Sequence, residues 1–222
     1  YFAARFHKVK ATLPFYIPFP ALAGFLNFGT MGAVIKTKTP IRTNKAMFDI
    51  GVAGPIAGFI ATLIVLIYGF MNVPGVDFLL NIHPDFHSPE YGKDSLQLEF
   101  GSTILFSFLK YLFTDSAHFF PPMSEVYHYP FLCVGWFGMF VTAMNMIPVG
   151  QLDGGHIGYT MFGQKKHNAI ASVSFLILLV LGLMGVLESF LEIQIGIGWT
   201  GWLFWAMILY FIIKIQHPPI PD

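Results

Sequence analysis

The stretch "NMIPVGQLDGGHIGYTMFG", residues Asn145–Gly163, follows an apolar run and brings an amide, a proline, a carboxylate and two adjacent glycines into its first eleven residues. A carboxylate at the centre of an apolar helix costs about 2.5–3.5 kcal/mol on insertion scales and less near a helix end, so such residues have a partner: a cation, a metal or a polar cavity. Taken alone, Asp153 reads equally well as a loop residue capping a short helix that starts near His156. Its setting favours a site. Asn145 lies eight residues upstream, Pro148 breaks the helix between them, and Gly154 and Gly155 permit backbone geometry or close approach that a side chain forbids. A helix broken at membrane depth is tolerated only where it lines a cavity or is buried in protein.

The rest of the sequence makes membrane depth the right frame. Of 222 residues, 55% are hydrophobic and 11% charged, against about 25% charged in an ordinary soluble domain. The chain therefore reads as a polytopic membrane protein with the lipid bilayer as its surroundings. A net charge of zero gives no reason to expect a nucleic-acid partner. The single cysteine, Cys133, excludes an internal disulfide and any multi-cysteine metal site. The opening "YFAARFHKVK" has neither a charged n-region nor an apolar h-region, and is expected to be the tail of a helix.

A crossing helix needs about 20 predominantly apolar residues. Ile50–Met71, Phe131–Ile147 and Ala169–Leu187 meet or approach that length, and a fourth run extends from Ile193 or Trp199 to Ile213 with three tryptophans near its start. Gly101–Phe113 is shorter, carries Lys110, and reads as a re-entrant or interfacial helix. Threading four crossings through these spans gathers ten of the twelve basic residues on one face, which is then cytoplasmic and holds the LDGG element. The other face takes the 72–129 segment and nine of the twelve acids. Before the first span, prolines 14, 18 and 20 argue against helix, and the alternation around Met31, Ala33 and Ile35 suggests a strand or half of a hairpin. The expected architecture is an all-α polytopic membrane protein with a small membrane-associated β-hairpin or strand near the N-terminus. We read residues 1–222 as one membrane-embedded domain without internal repeats.

Two further patterns carry less. Gly51, Gly54 and Gly58 recur at helical spacing beside Ala57 and Ala61, a smooth stripe whose simplest use is close helix packing; Asp49 there complements the helix dipole. His83 and His87 have the i, i+4 spacing of a helical metal pair, but Pro84 lies between them and no Glu follows the first, so only adventitious binding is expected. His156 adjoins the LDGG element and reads as either a cavity residue or a polar helix start. His7, His118, His128, His167 and His217 read as interfacial residues.

Asn145, Pro148 and Leu152-Asp153-Gly154 match an NxxPxxxLDG element, and "GTMGAVI", "FDIGVAGPIAG" and the "HPPIPD" tail accompany it in order. Together they resemble the site-2 protease family of intramembrane zinc metalloproteases, most closely its branch without a PDZ domain, which includes plastid and cyanobacterial members. The resemblance implies a zinc held by two histidines of an HExxH helix and by the Asp of LDG, with the motif Glu as general base. His residues at i, i+4 share a helix face, and a third ligand from another helix leaves one position open for water. Carried over, Asp153 is the metal ligand and Asn145 a donor to the developing oxyanion. Gly29, Thr30, Gly32 and Ala33 belong to a substrate-binding strand, and Pro148, Gly154 and Gly155 shape the site. A transmembrane substrate must become extended before its peptide bond can be attacked, and an open strand edge suits it.

The sequence contains no HExxH. Tyr1-Phe2-Ala3-Ala4 resembles the run that directly follows the second motif histidine, so the expectation is an N-terminally truncated protease core, inactive on its own, whose full-length parent is a zinc metalloendopeptidase cleaving transmembrane protein substrates. The alternatives are a non-catalytic relative acting as a membrane scaffold, and a transporter with a discontinuous helix. A bacterial inner membrane is the expected location, an organellar membrane the alternative.

Overall fold

In a computed structural model, residues 1–18, 30–41, 43–88, 90–91, 100–115, 118–191 and 196–218 are described. Among them the chain is mostly helical. In order come α1 (Phe2–Phe6), β1 (Phe15–Pro18), β2 (Thr30–Val34), α2 (Asn44–Met71), α3 (Val76–Ile82), α4 (Ile104–Phe113), a 3-10 turn (Val126–His128), α5 (Pro130–Asn145), α6 (Asp153–Leu191) and α7 (Gly201–Ile208), which runs on into a π-helical turn at Leu209–Ile213. At the N-terminus the residues expected to be helical form the short α1. The expected β element is an antiparallel pair, with Phe15 opposite Val34, Tyr16 opposite Ala33 and Pro18 opposite Thr30. Gly29, Arg42, Lys93, Glu192, Ile193 and most of the HPPIPD tail lie outside the described residues.

Two helices, α2 and α6, are long and apolar enough to cross a membrane, while α4, α5 and the α7 run are apolar but shorter. The four expected spans thus divide into two long helices and two short ones. The expected boundary between an LDGG helix and a later span falls at Gly163, whose φ of 73° and ψ of 167° are not helical: α6 is two helical stretches meeting at a kink there, and the later one starts before the expected Ala169. The helix begins at Asp153, three residues before the start expected at His156.

The chain forms two compact units, residues 1–55 with 145–222, and residues 56–144. In the second unit the core is Leu66, Phe70, Phe106, Leu109, Val126 and Leu132 with their neighbours. Glycines bring α5 close to α2: a Cβ on Gly135 would overlap Leu66, and one on Gly138 would overlap Thr62. This is the small-residue packing that membrane helices use, because lipid offers no hydrophobic drive to bring them together. The short run read as re-entrant or interfacial forms the helix α4, capped by Thr103, whose hydroxyl accepts from the Phe106 N–H at 3.2 Å.

In the first unit, Val149 and Leu152 of the broken turn insert into a core with Ala171, Leu178 and Leu209. Burying those two side chains draws the turn inward and fixes which way Asp153 leaves it. Gly182 and Gly185 let α6 lie against the start of α7.

Candidate functional site around Asp153

The turn between α5 and α6 is held by its backbone. A Cβ on Gly154 would overlap the Met146 carbonyl, and one on Gly155 would overlap that of Gly150. Neither glycine has a positive φ. Of the two uses the sequence allowed for this pair, the one realised is close approach. Gly150 does have a positive φ, 55°, and its N–H donates to the Ile215 carbonyl at 2.9 Å, so the segment after α7 closes over the turn.

Asp153 is the first residue of α6. It is half-buried, at a helix start whose unpaired N–H groups favour a negative charge. Among the described residues its carboxylate makes no hydrogen bond or ion pair, and no pair of His, Cys, Asp or Glu side chains stands close enough to share an ion with it. Gly51 and Gly54 of α2 form the wall beside it: a Cβ on Gly51 would lie 3.2 Å from His156 Cβ and 3.5 Å from the Asp153 carbonyl, and one on Gly54 3.6 Å from Asp153 Oδ2. The same helix reaches α1 one turn earlier, where Asp49 Oδ2 accepts from His7 Nε2 at 2.7 Å. Asp49 lies beyond the first turn of α2, because that helix begins at Asn44, so a side-chain partner replaces the dipole role expected for it. Through α2, the end of α1 and the start of α6 share one scaffold.

Asn145 ends α5, half-buried, and its side-chain amide makes no hydrogen bond among the described residues. Pro148 is also half-buried in the turn. Thr30, Gly32 and Ala33 lie in β2, which among the described residues pairs on one edge only.

Histidines beside the turn are the part that reading the sequence missed. His156 Nδ1 lies 2.8 Å from His217 Nε2, and His217 Nδ1 lies 2.6 Å from the Pro218 carbonyl. A carbonyl can only accept, so Nδ1 of His217 carries the proton; burial lowers the pKa of this imidazole and keeps it neutral. Its Nε2 then accepts from His156 Nδ1–H, leaving Nε2 of His156 with a lone pair. His167, fully buried, packs edge-on against Tyr159 and His217 with ring centroids 6.0 Å away in each case. His167 and His217 are therefore buried in protein, not set at an interface, because the segment after α7 folds back over the LDGG turn. A His-Pro pair just past a final apolar run was the available signal.

The profile of peptidase family M50 matches residues 1–181, and the chain belongs to that family. Over 221 residues it is 26% identical to "Probable zinc metalloprotease EGY2, chloroplastic" of Oryza sativa subsp. indica, covering 99% of this chain and 34% of that protein. It is 31% identical over 191 residues to "Probable zinc metalloprotease EGY1, chloroplastic" of Oryza sativa subsp. japonica, covering 83% and 29%. With "Probable zinc metallopeptidase EGY3, chloroplastic" of Arabidopsis thaliana it shares 29% identity over 206 residues, covering 88% and 32%. The chain spans about a third of the length of the curated relatives it matches. No solved structure matches it.

The zinc that these names carry can be tested against the residues present. Asp153 fits: it is an oxygen donor, half-buried, unpartnered among the described residues, and faced by a glycine that leaves space beside Oδ2. The 222 residues contain no HExxH, so of such a donor set Asp153 is the candidate within this sequence.

Proposed function

We propose that this chain carries the LDG half of an intramembrane zinc metalloendopeptidase acting on transmembrane protein substrates. The observation that carries the reading is the Asp153 carboxylate, fixed by a backbone-locked turn and left without a partner among the described residues. Zinc, when bound, supplies a Lewis acid that polarises the scissile carbonyl and activates a water molecule. Asp153 would hold it together with imidazoles from outside these residues. Gly54 leaves the space in which the carboxylate can turn toward an ion. Asn145, whose side-chain amide at the end of α5 makes no hydrogen bond among the described residues, can donate to a peptide carbonyl as negative charge develops on its oxygen. The edge of β2 that is unpaired among the described residues can take an unwound substrate segment as a third strand, satisfying amides that would otherwise be costly in a membrane.

The exposed apolar faces of α2 and α6 favour an integral multi-pass position in the bilayer. The chloroplastic names of the relatives favour an organellar membrane over the bacterial inner membrane expected from sequence. The test uses the full-length polypeptide that contains this sequence, purified in detergent with a membrane-spanning peptide as substrate. Asp153→Ala should abolish cleavage and lower bound zinc by about one equivalent. Retained cleavage with unchanged zinc would overturn the reading. A wild-type protein that neither cleaves nor depends on Asp153 for metal would leave the helix-binding scaffold in its place.

A further inference from the structure

We propose that His83, Glu125 and His128 form a binding site for a divalent transition-metal ion of the zinc type, distinct from the residue set around Asp153. His83 caps the C-terminus of α3, Glu125 precedes the 3-10 turn and His128 ends it. Nε2 of His83 and Nε2 of His128 are 2.9 Å apart, and Glu125 Oε2 is 3.8 Å from the first and 3.7 Å from the second. A tetrahedral ion with bonds of about 2.0–2.1 Å sets its donors about 3.3 Å apart, so the three atoms lie within a few tenths of an ångström of one face of that tetrahedron.

The carboxylate makes the case. Glu125 is 2% exposed; Oε1 accepts from the Tyr91 hydroxyl at 2.9 Å, and the buried Oε2 has no hydrogen-bond partner among the described residues. A hydrogen bond between the two imidazoles would leave that oxygen unsatisfied, whereas one cation between the three atoms satisfies all of them. The Tyr91 hydroxyl, donating to Oε1, orients the carboxylate from behind, as second partners of metal ligands do. The turn is set in advance: the Glu125 N–H donates to the Pro122 carbonyl at 2.9 Å, and the His128 N–H to the Glu125 carbonyl at 3.0 Å.

Two imidazoles and one carboxylate suit zinc and its neighbours better than calcium or magnesium, which prefer all-oxygen shells. Three protein donors leave a position for water or a substrate oxygen. An ion here also ties together residues 45 positions apart, pinning α3 to the 3-10 turn. His87, the partner that helical spacing suggested for His83, is not in the cluster; the useful spacing was Glu125-Val-Tyr-His128.

The test is a Co2+ titration of the 222-residue chain in detergent, read by visible absorption and followed by Zn2+ competition. Wild type and Asp153→Ala should both take up one ion with tetrahedral absorption. His83→Gln, His128→Gln and Glu125→Gln should each lose the band while keeping their helical circular dichroism, and Tyr91→Phe should weaken binding by about tenfold. If the variants unfold, wild type alone decides: Zn2+ should slow proteolysis within residues 84–127, and a chelator should reverse it. The proposal is overturned if wild type shows no band, if the histidine variants bind as tightly as wild type, if Asp153→Ala removes the band, or if Zn2+ leaves proteolysis unchanged. Because Asp153→Ala is a separate arm, failure of the protease reading leaves this result standing, and the converse holds.

Discussion

Gly54 turns its bare Cα toward the carboxylate of Asp153, and a Cβ there would sit 3.6 Å from Oδ2. The glycine stripe of α2 therefore has identifiable partners. Gly51 and Gly54 face the start of α6, and Gly58 faces Thr142 Oγ1, which a Cβ would meet at 3.6 Å. At Gly54 and Gly58 a methyl fits at ordinary contact distance, whereas at Gly51 it would press on His156 Cβ at 3.2 Å.

A size series at residue 54 should behave accordingly. Gly54→Ala should retain both thermal stability in detergent and cleavage by the full-length protein. Gly54→Leu should lose about 1–3 kcal/mol from overpacking and most of the cleavage. A leucine variant as active as wild type would mean that the wall can retreat from the carboxylate.

Gly154 and Gly155 should show no such tolerance. The atoms in the way are the backbone carbonyls of Met146 and Gly150, which cannot rotate aside like the end of a side chain. Either alanine variant should lower stability by about 1–3 kcal/mol or more and reduce metal affinity, although neither removes a ligand. Thermal unfolding together with zinc titration of the full-length variants checks this, and wild-type values in both would discard the backbone-lock account.

His217 should contribute a pH dependence of known sign. Burial holds its folded pKa below the ordinary value of 6.5, so as the pH falls the unfolded chain takes up the proton first. The contribution to stability is complete above 6.5 and is lost as the pH drops from there toward the folded pKa. His217→Gln, which can still hydrogen-bond His156, should flatten that part of the curve. Unfolding midpoints measured from about pH 8 to about pH 5 for both proteins provide the comparison; parallel curves would remove His217 from the account.

Proline scanning of β2 tests the open edge. Successive N–H groups along a strand point in opposite directions, so prolines at alternate residues from Met31 to Val34 should break the pairing with β1 at one set of positions. At the other set they should spare the hairpin and remove only donors on the free edge. Cleavage of a transmembrane peptide should fall for the second set without loss of folded protein, whereas unimpaired cleavage there would rule out strand addition.

Local patterns were legible in the sequence where they are strong. The long apolar helices, the β pair before α2 and the break at Pro148 follow from composition, alternation and ring chemistry. Asp153 stood out because a carboxylate is costly beside apolar helices. What was not legible depends on distant parts of the chain meeting. Nothing local joins His156 to His217, His7 to Asp49, or His83 to His128; each pairing comes from tertiary return of the chain. The i, i+4 spacing of His83 and His87 misled because α3 ends at Ile82, so no helix carries that spacing. Gly163 also escaped notice, since a glycine after an LDGG helix does not reveal where the next span begins.

The main-chain clasp at the turn implies an uneven tolerance to variation. In a library randomised over residues 146–155 and selected for function, the exposed Met146 and Gln151 should accept many residue types. Val149 and Leu152 should drift only among apolar residues, and Gly150, Gly154 and Gly155 should return unchanged. Redesign of this region would have its freedom at the rim, with the glycines left as they are.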